Sequence, residues 1–264
     1  MSSITEVIPG LAETLWRARL EAKPCPAPTE SFPELTTKDA YRLSRLNFER
    51  RLKETRALPV GKKIGLTSLA VQKQLNVDQP DFGYLTSDMA VAHGGVLAPG
   101  TLIQGKVEGE AAFILKGRLA GPGVTREQVV KATDCVQACI EVIDSRVKDW
   151  KIKIQDTIAD NASSAFFVLG PDRRRLADVD LKAAAMTLKI NGEMKSTGQG
   201  AACLGDPLLA VAWLANKLGE FGETLEPGEV ILSGAYGPVV AFNAGDRCEV
   251  EISGLGDVSC SYGS

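Results

Sequence analysis

Histidine and paired cysteines are almost missing from this 264-residue sequence, which narrows the chemistry that it can carry. The only histidine is His93, and no Cys-x-x-Cys pair occurs among the six cysteines. The spacing of a zinc site is therefore absent, and a Ser-His-Asp catalytic set is excluded unless it uses His93. His93 lies in the glycine-rich segment VAHGGVLAPG, and we interpret it as a surface turn residue. We interpret the cysteines as buried thiols in a reducing compartment.

An excess of basic residues is missing as well. Thirty Lys and Arg residues face 33 Asp and Glu residues, which gives a net charge of −3 and a pI near 5.4. Binding to the phosphate backbone of nucleic acids needs the opposite balance. The longest purely apolar run covers residues 208–215, far short of the roughly 18 residues that span a bilayer. The first residues lack the features of a secretory signal, so we expect a soluble, cytoplasmic protein.

Hydrophobic spacing divides the chain near residue 58. Residues 1–58 are helical in pattern, and Thr36 with Asp39 predicts the capped start of a charged amphipathic helix. Across residues 59–264, short apolar runs alternate with Gly, Pro, Asp and Asn, which is typical of strands and hairpins. Two helices, over TREQVVKATD and PLLAVAWLANKLGEFG, interrupt this region. We therefore predict an α+β protein with a helical N-terminal element (1–58) and a mostly β catalytic domain (59–264).

Two glutamates one residue apart, Glu108 and Glu110, stand in the strand-like segment KVEGEAAFIL. In an extended strand both side chains project from the same face, so their carboxylates lie close together and repel each other. Such a pair is tolerable if the face is open to water, if one carboxylate is protonated, or if a cation sits between them. The spacing alone favours a solvated edge, whereas the apolar run at residues 111–115 indicates burial on both faces. We therefore expect the acidic pair at the mouth of a buried element.

A third glutamate, Glu141, interrupts the apolar strand-like segment ACIEVID. A buried charge of this kind needs a partner. Three carboxylates on neighbouring strands, without histidine or paired cysteines, form a hard oxygen site that suits Mg²⁺ or Mn²⁺. A salt bridge from Glu141 to Arg146 or to a nearby lysine explains the same residue, and periodicity leaves both interpretations open.

Seven segments, in order along the chain from about residue 30 to the C terminus, carry a resemblance. They read KIGLTS, QPDFGYLTSDM, KVEGEAAF, EVIDSR, DTIADNASS, GQGAACLGDP and LSGAYGPVV. Together they resemble the 2-hydroxypenta-2,4-dienoate hydratase (2-oxopent-4-enoate hydratase) family of the fumarylacetoacetate-hydrolase-like group. This family serves the meta-cleavage pathways of aromatic catabolism. Its sibling, 4-oxalocrotonate decarboxylase, shares most of these segments, but LSGAYGPVV and QPDFG look like the hydratase branch.

The resemblance implies a fold, a metal and a set of partners. The fold would be a mixed-sheet β roll, and Glu108, Glu110 and Glu141 would hold a divalent ion, Mg²⁺ or Mn²⁺. The KIGLTS segment would contribute Lys63 to the active site, and the PDFG and DNASS segments would border the substrate pocket. The family also implies a homo-oligomer and an association with a 4-oxalocrotonate decarboxylase. Tyr236 stands where the family commonly has leucine.

Four polar residues are candidates for contact with the substrate. Lys63 either moves protons, with its neutral form favoured beside a cation, or binds the substrate carboxylate as a cation. Asp81 either orients water or acts as the base, or it is a turn residue after Pro80. Ser163 and Ser164 either donate hydrogen bonds to the substrate carboxylate or belong to a loop whose Asp and Asn bind their own backbone.

The implied reaction is the hydration of 2-hydroxypenta-2,4-dienoate to 4-hydroxy-2-oxopentanoate. The alternative is decarboxylation of 4-oxalocrotonate (2-oxohex-3-enedioate), whose second carboxylate needs cationic or donor groups. The segment LSGAYGPVVAF, which we assign to the pocket wall, is apolar and has no basic residue, and this favours the hydratase. Arg118 and Arg146 are the cations that could still serve a second carboxylate. A non-catalytic partner subunit is disfavoured, because it should have lost the three glutamates.

Overall fold

The N-terminal part of the protein is helical, as the spacing predicts. The fold is taken from a computed structural model, and the structure describes residues 4–68, 72 and 79–264. Three helices come first: α1 (Ile4–Glu21), α2 (Pro28–Ser31) and α3 (Thr37–Thr55). The predicted start of α3 is confirmed, because the Thr36 side chain accepts a hydrogen bond from the backbone amide of Asp39.

Strands dominate the rest of the described chain, with three further helices between them. The helices are α4 (Arg126–Ala132), α5 (Ile154–Ala159) and α6 (Pro207–Gly219). Both predicted interrupting helices are confirmed: Thr125 and Gln128 form a capping box at α4, and Pro207 opens α6. The strands are β1 (Pro59–Gly65), β2 (Asp81–Thr86), β3 (Ala90–Val91), β4 (Val96–Leu97), β5 (Lys106–Leu115), β6 (Thr133–Ile143), β7 (Ser164–Leu169), β8 (Ala185–Ile190), β9 (Glu193–Gln199), β10 (Val230–Leu232), β11 (Val240–Ala241), β12 (Arg247–Ile252) and β13 (Gly256–Tyr262).

Within the described residues these strands form two mixed sheets. The larger has eight strands in the order β2-β1-β10-β5-β6-β7-β3, with β11 paired to β5. Its β1–β10 and β3–β7 pairs are parallel and the others are antiparallel. The smaller has the order β4-β13-β12-β8-β9, and only β4–β13 is parallel. Mixed sheets with N-terminal helices confirm the predicted α+β class.

The glycine between the two paired glutamates explains which way they point. A Cβ atom added at Gly109 would lie 2.8 Å from Val250 Cγ1 and 3.1 Å from Met186 Cγ, so this face of β5 is pressed against the smaller sheet. Side chains alternate along a strand, and Glu108 and Glu110 therefore project from the opposite face of the larger sheet. The fold thus leaves one face of β5 for packing and the other for chemistry.

The helical element packs directly onto the larger sheet. Tyr41 of α3 stacks on Phe82 of β2 with ring centroids 4.4 Å apart, and α3 also packs against α5. One apolar core includes Leu15 and Leu43 of the helices together with Ile64 of β1. The domain division at residue 58 stays a prediction.

The structure bears on the interpretations of the cysteines, of His93 and of the apolar runs. All six cysteines are buried free thiols, and His93 lies in an exposed turn, as interpreted, whereas the reducing compartment stays a prediction. Among the described residues, no helix combines the length and apolar character needed to cross a membrane.

Candidate metal centre

The two central strands of the larger sheet bring three glutamates together. Glu108 of β5 pairs directly with Glu141 of β6, and Glu110 lies two residues further along the same face. One carboxylate oxygen from each of the three lies within 4.8 Å of the others. Only 7% of Glu108 is exposed, and Glu110 and Glu141 are fully buried. This burial rules out the solvated edge that the spacing alone favoured.

The electrostatics of this glutamate cluster favour either protons or a cation at the carboxyl groups. Burial raises the pKa of Glu108 to about 8, and the charge of Glu141 acts in the same direction. Burial also raises the pKa of Glu110 well above its usual range, although the Gly234 amide donates a hydrogen bond to its Oε2 atom. Glu110 Oε1 and both carboxylate oxygens of Glu141 have no hydrogen-bond partner among the described groups. Three buried carboxylates with unused lone pairs fit a divalent cation with oxygen ligands.

Lys63 of β1 is the protein's own cation at this cluster. Its Nζ atom lies 3.2 Å from Glu141 Oε1, an ion-pair distance without hydrogen-bond geometry, and its side chain is 3% exposed. The lysine partner that we considered for Glu141 is therefore present. The Arg146 partner is wrong, because the Arg146 Nε atom donates to Asp160 Oδ1 at 2.5 Å instead. One ammonium does not balance three carboxylates, so the ion pair and a metal site are compatible.

The charge state of Lys63 depends on the charges around its ammonium group. Burial alone would lower the pKa of Lys63, but the combined charges of Glu141, Asp81, Glu108 and Glu110 outweigh it and raise the pKa. The protein's own charges therefore favour the ammonium form. The predicted preference for the neutral amine would require a further positive charge at the carboxylates.

Asp81 is a buried strand residue beside Lys63. It opens β2, pairs with Gly65 of β1 and is 1% exposed, so the turn interpretation is wrong. Thr157 Oγ1 donates to Asp81 Oδ2 at 3.1 Å, whereas Oδ1 has no partner among the groups that the structure describes. Burial raises the pKa of Asp81, and the nearby Lys63 charge opposes this effect. An unpaired carboxylate oxygen next to an ammonium is suited to accept a proton or to orient water.

The absence of a side chain at Gly65 leaves space for the side chains of Asp81 and Lys63. The first prediction concerns the effect of substituting this glycine on kcat. A Cβ atom at Gly65 would lie 2.2 Å from Asp81 Oδ1 and 3.4 Å from Lys63 Nζ. We expect Gly65→Ala to displace the Asp81 carboxylate and to lower kcat by about 10- to 100-fold, because small misplacements of reacting groups have effects of this size. The matched control is Gly10→Ala on α1, where an added Cβ meets nothing within 4 Å. Normal kcat in Gly65→Ala would contradict the assignment of Asp81.

A left-handed turn holds Ser163 near β2. The φ values are 55° at Asn161, 50° at Ala162 and 55° at Ser163, in the left-handed region. An L-residue is less stable in this conformation by about 1–2 kcal/mol. The Asn161 side chain clamps the turn by accepting from Tyr84 N at 2.8 Å and donating to Tyr84 O at 3.0 Å. Strain of this kind is retained where the surroundings enforce it, and it clusters at functional sites.

The two candidate serines of this turn are both buried. Ser163 and Ser164 are each 3% exposed, and neither hydroxyl has a hydrogen-bond partner among the described groups. Ser164 lines a cavity that also borders α1 and α3. Hydroxyls without partners agree with a binding role, and contact with the substrate stays a prediction for both residues.

Sequence reasoning missed several residues that position the site. Thr157 donates a hydrogen bond to Asp81, and the Gly234 amide donates one to Glu110. Asn161 binds the backbone of Tyr84 and so fixes the turn that carries Ser163. Each contact joins elements that are distant in the sequence. The available signal was the place of Thr157, Asn161 and Gly234 inside the family-like segments DTIADNASS and LSGAYGPVV. Tyr236 of the second segment is fully buried, and its hydroxyl has no partner in the described part of the chain.

The raised carboxyl pKa values yield a second prediction, for the metal-free protein. The usual pKa of glutamate is 4.5 and that of Glu108 in the folded protein is about 8, so between these values only the folded state keeps the proton. The free energy of unfolding must then decrease as the pH rises through this interval. In EDTA, we expect the Tm to fall between pH 5.5 and 8.5, and Glu108→Gln to reduce this slope. An unchanged slope in Glu108→Gln would show that these carboxyls are not the cause.

Comparisons with known proteins agree with this architecture. The family described as "Fumarylacetoacetate (FAA) hydrolase C-terminal" matches residues 44–261. The chain is 48% identical over 252 residues to 2-hydroxyhexa-2,4-dienoate hydratase from Comamonas testosteroni, with 95% of each chain covered. It is 51% identical over 223 residues to 2-keto-4-pentenoate hydratase 1 from Dechloromonas aromatica (strain RCB), with 84% of each covered.

A solved structure shows the same fold over nearly the whole chain. It is 4-oxalocrotonate decarboxylase from Pseudomonas putida G7, complexed with magnesium and adipate, with a TM-score of 0.94, 37% identity and 99% of both chains covered. Sequence and structure thus agree on one lineage. The chain belongs to the fumarylacetoacetate hydrolase family, within its group of 2-hydroxypenta-2,4-dienoate hydratases.

Proposed function

We propose that the protein is a metal-dependent hydratase that adds water to 2-hydroxypenta-2,4-dienoate and releases 4-hydroxy-2-oxopentanoate, in the meta-cleavage catabolism of aromatic compounds. The observation that carries the proposal is the buried cluster of Glu108, Glu110 and Glu141 with Lys63 and Asp81 beside it. Relatives of about 50% identity that are named hydratases support the same reaction class.

The three glutamates would hold a divalent ion, Mg²⁺ or Mn²⁺. Their hard oxygen donors suit such ions, and the decarboxylase structure of 37% identity contains magnesium. When bound, the ion supplies a Lewis acid for the carboxylate and the 2-oxygen of the substrate. Glu108 is 7% exposed whereas Glu110 and Glu141 are fully buried, which supports an approach of the substrate from the side of Glu108.

Lys63 and Asp81 are suited to move protons between water and substrate. Conversion of the 2-hydroxydienoate to the 2-oxo-3-enoate removes a proton from the 2-hydroxyl and adds one at C5. Lys63 would deliver its ammonium proton to C5, and the resulting amine would take the proton that leaves the 2-hydroxyl. Asp81 Oδ1 would accept a proton from the water whose oxygen bonds to C4, and would return it to C3, so that one molecule of water is added in total. Ser163 would donate a hydrogen bond to the substrate carboxylate.

The arginines favour hydration over decarboxylation. The second carboxylate of 4-oxalocrotonate needs a positive or donor group in the pocket. Arg118 lies on the surface, with 62% of its side chain exposed, and pairs with Glu226. Arg146 is held by Asp160 and by backbone carbonyl groups. Both arginines that we considered for a second carboxylate therefore have other partners.

The proposal is tested by turnover of purified protein. We expect 2-hydroxypenta-2,4-dienoate to be converted to 4-hydroxy-2-oxopentanoate, EDTA to stop turnover, and Mg²⁺ or Mn²⁺ to restore it. Turnover that EDTA does not reduce would contradict the metal role, and the absence of the hydroxy acid would contradict the function.

Several finer points stay predictions. The choice between Mg²⁺ and Mn²⁺, the homo-oligomeric assembly and the association with a 4-oxalocrotonate decarboxylase rest on the resemblance, and the cytoplasmic location rests on the character of the first residues.

A further inference from the structure

The cavity beside Ser164 lies where the helical element meets the larger sheet. Its volume is about 50 Å³, and α1, α3, β2 and the turn after α5 form its walls. One buried water occupies at least about 10–15 Å³ of such space, so the cavity corresponds to roughly four water-sized groups. The metal ligands Glu108, Glu110 and Glu141 are not among its lining residues.

Positive charge is in excess around this cavity. Arg19, Arg51 and Arg146 line it, with 30%, 9% and 6% of their side chains exposed. Asp160 neutralises Arg146, and Asp88 binds Arg51 through two contacts of 3.0 and 3.1 Å. Among the described carboxylates, Arg19 reaches only that of Asp88, at 3.8 Å. Three guanidinium groups therefore share two carboxylates.

The Arg19 guanidinium contacts Trp16, but one of its nitrogen atoms has no hydrogen-bond partner among the described groups. Its guanidinium lies 5.1 Å from the centroid of the Trp16 ring, and its Nη1 atom is buried without a hydrogen-bond partner among the described groups. Burial, followed by the charges of Arg51 and Arg146, lowers the pKa of Arg19 to about 10. The group stays protonated at neutral pH, so its repulsion with the neighbouring arginines persists.

Further hydrogen-bond donors surround the same space. Trp16 Nε1, Ser44 Oγ and Ser164 Oγ belong to lining residues, and each is buried without a partner among the groups that the structure describes. Asn47 Oδ1, which can only accept, is also without a partner among the described groups, and the Asn47 Nδ2 atom donates to the Ala12 carbonyl. Buried donors without acceptors are strongly unfavourable, so Arg19 Nη1 and these three groups, beside an excess positive charge, match an anion.

We propose that this cavity, lined by Arg19, Trp16, Ser44 and Ser164, binds a small oxyanion such as sulfate, phosphate or a carboxylate group. A tetrahedral oxyanion or a carboxylate has the size that the volume allows, and its oxygens accept from all four donors. The anion joins α1 and α3 to the start of β7, immediately after the turn that carries Ser163. Its binding therefore stabilises the contact between the helical element and the active-site turn.

The test measures the Tm of the Mg²⁺-loaded protein in sodium sulfate and in sodium acetate, each against sodium chloride of equal ionic strength. We expect a saturable rise in Tm with one or both oxyanions, and the stronger of the two identifies a tetrahedral anion or a carboxylate. Arg19→Met should raise the concentration at half-saturation by about tenfold or more, since it removes a charged hydrogen bond. Trp16→Phe removes the Nε1 donor but keeps an aromatic ring, and it should also weaken anion binding. This second variant tests the site even if Arg19→Met does not fold.

Two controls make the outcome decisive. Arg17→Met, on the same helix with 69% of the arginine side chain exposed, should leave the midpoint unchanged. Glu108→Gln should also bind sulfate normally, which separates this site from the metal centre. A rise that does not saturate, or one that is equal in Arg19→Met and the unaltered protein, would show that the cavity holds only water and would overturn the proposal.

Discussion

Glu108→Gln is expected to lower kcat/KM by at least about 100-fold and to weaken Mg²⁺ binding to a similar degree. Residues that merely support a metal ligand typically contribute 10- to 100-fold, and a direct ligand should contribute at least as much. The fold should persist, because the change removes one charge from a buried cluster whose carboxyl pKa values are already raised by burial and mutual repulsion. Metal affinity is measured by titration calorimetry, and kcat/KM by steady-state kinetics.

The sequence supplies a matched control for this substitution. Glu249 and Glu251 form a second Glu-x-Glu pair on a strand, β12, where Glu249 contacts Arg247 and Glu251 is exposed. We expect Glu251→Gln to leave activity and metal affinity unchanged. Full activity and full metal affinity in Glu108→Gln would show that the metal site lies elsewhere.

Lys63→Ala is expected to lower kcat by about 10²- to 10⁴-fold, the usual range for a group that transfers protons in the transition state. The effect on KM should be much smaller, because a role confined to the transition state appears in kcat. Lys63→Arg separates the two roles of the residue. Arginine keeps the positive charge but does not release its proton near neutral pH, so it should rescue substrate binding without rescuing turnover.

The neighbouring lysine is the control for the second substitution. Lys62 alternates to the other face of β1 and pairs with Glu229 at 2.7 Å. Lys62→Met should reduce the Tm while leaving kcat close to normal. A change in KM alone for Lys63→Ala, or substantial turnover in Lys63→Arg, would assign Lys63 to binding of the substrate carboxylate.

Local signals in the sequence predicted the elements of the fold. The caps at Thr36 and Thr125 and the proline at 207 act within a few residues, so the helix starts that they indicate are the ones observed. The Glu-x-Glu spacing by itself does not predict whether the two glutamates are buried. Glu108 and Glu110 precede a run of apolar residues and are buried, whereas Glu249 and Glu251 follow the same spacing and remain partly or fully exposed. The residues that flank each Glu-x-Glu pair, and not the spacing of the glutamates, distinguish the buried pair from the exposed one.

The supporting contacts of the site were beyond local reasoning. Thr157 and Asp81 are 76 residues apart, and Gly234 and Glu110 are 124 apart, so only the paired strands and their loops bring them together. The raised pKa of Lys63 in the absence of a metal ion was beyond local reasoning for the same reason, because it depends on four carboxylates from three strands. The cavity beside Arg19 likewise needs α1, α3 and β7 in their final positions.

Hydration is tested by a product analysis in which two substrates are supplied separately to the Mg²⁺-loaded protein. With 2-hydroxypenta-2,4-dienoate, we expect 4-hydroxy-2-oxopentanoate to accumulate. With 2-oxohex-3-enedioate, we expect no release of CO₂. Release of CO₂ from the second substrate without hydration of the first would contradict the hydratase function and identify the protein as a decarboxylase.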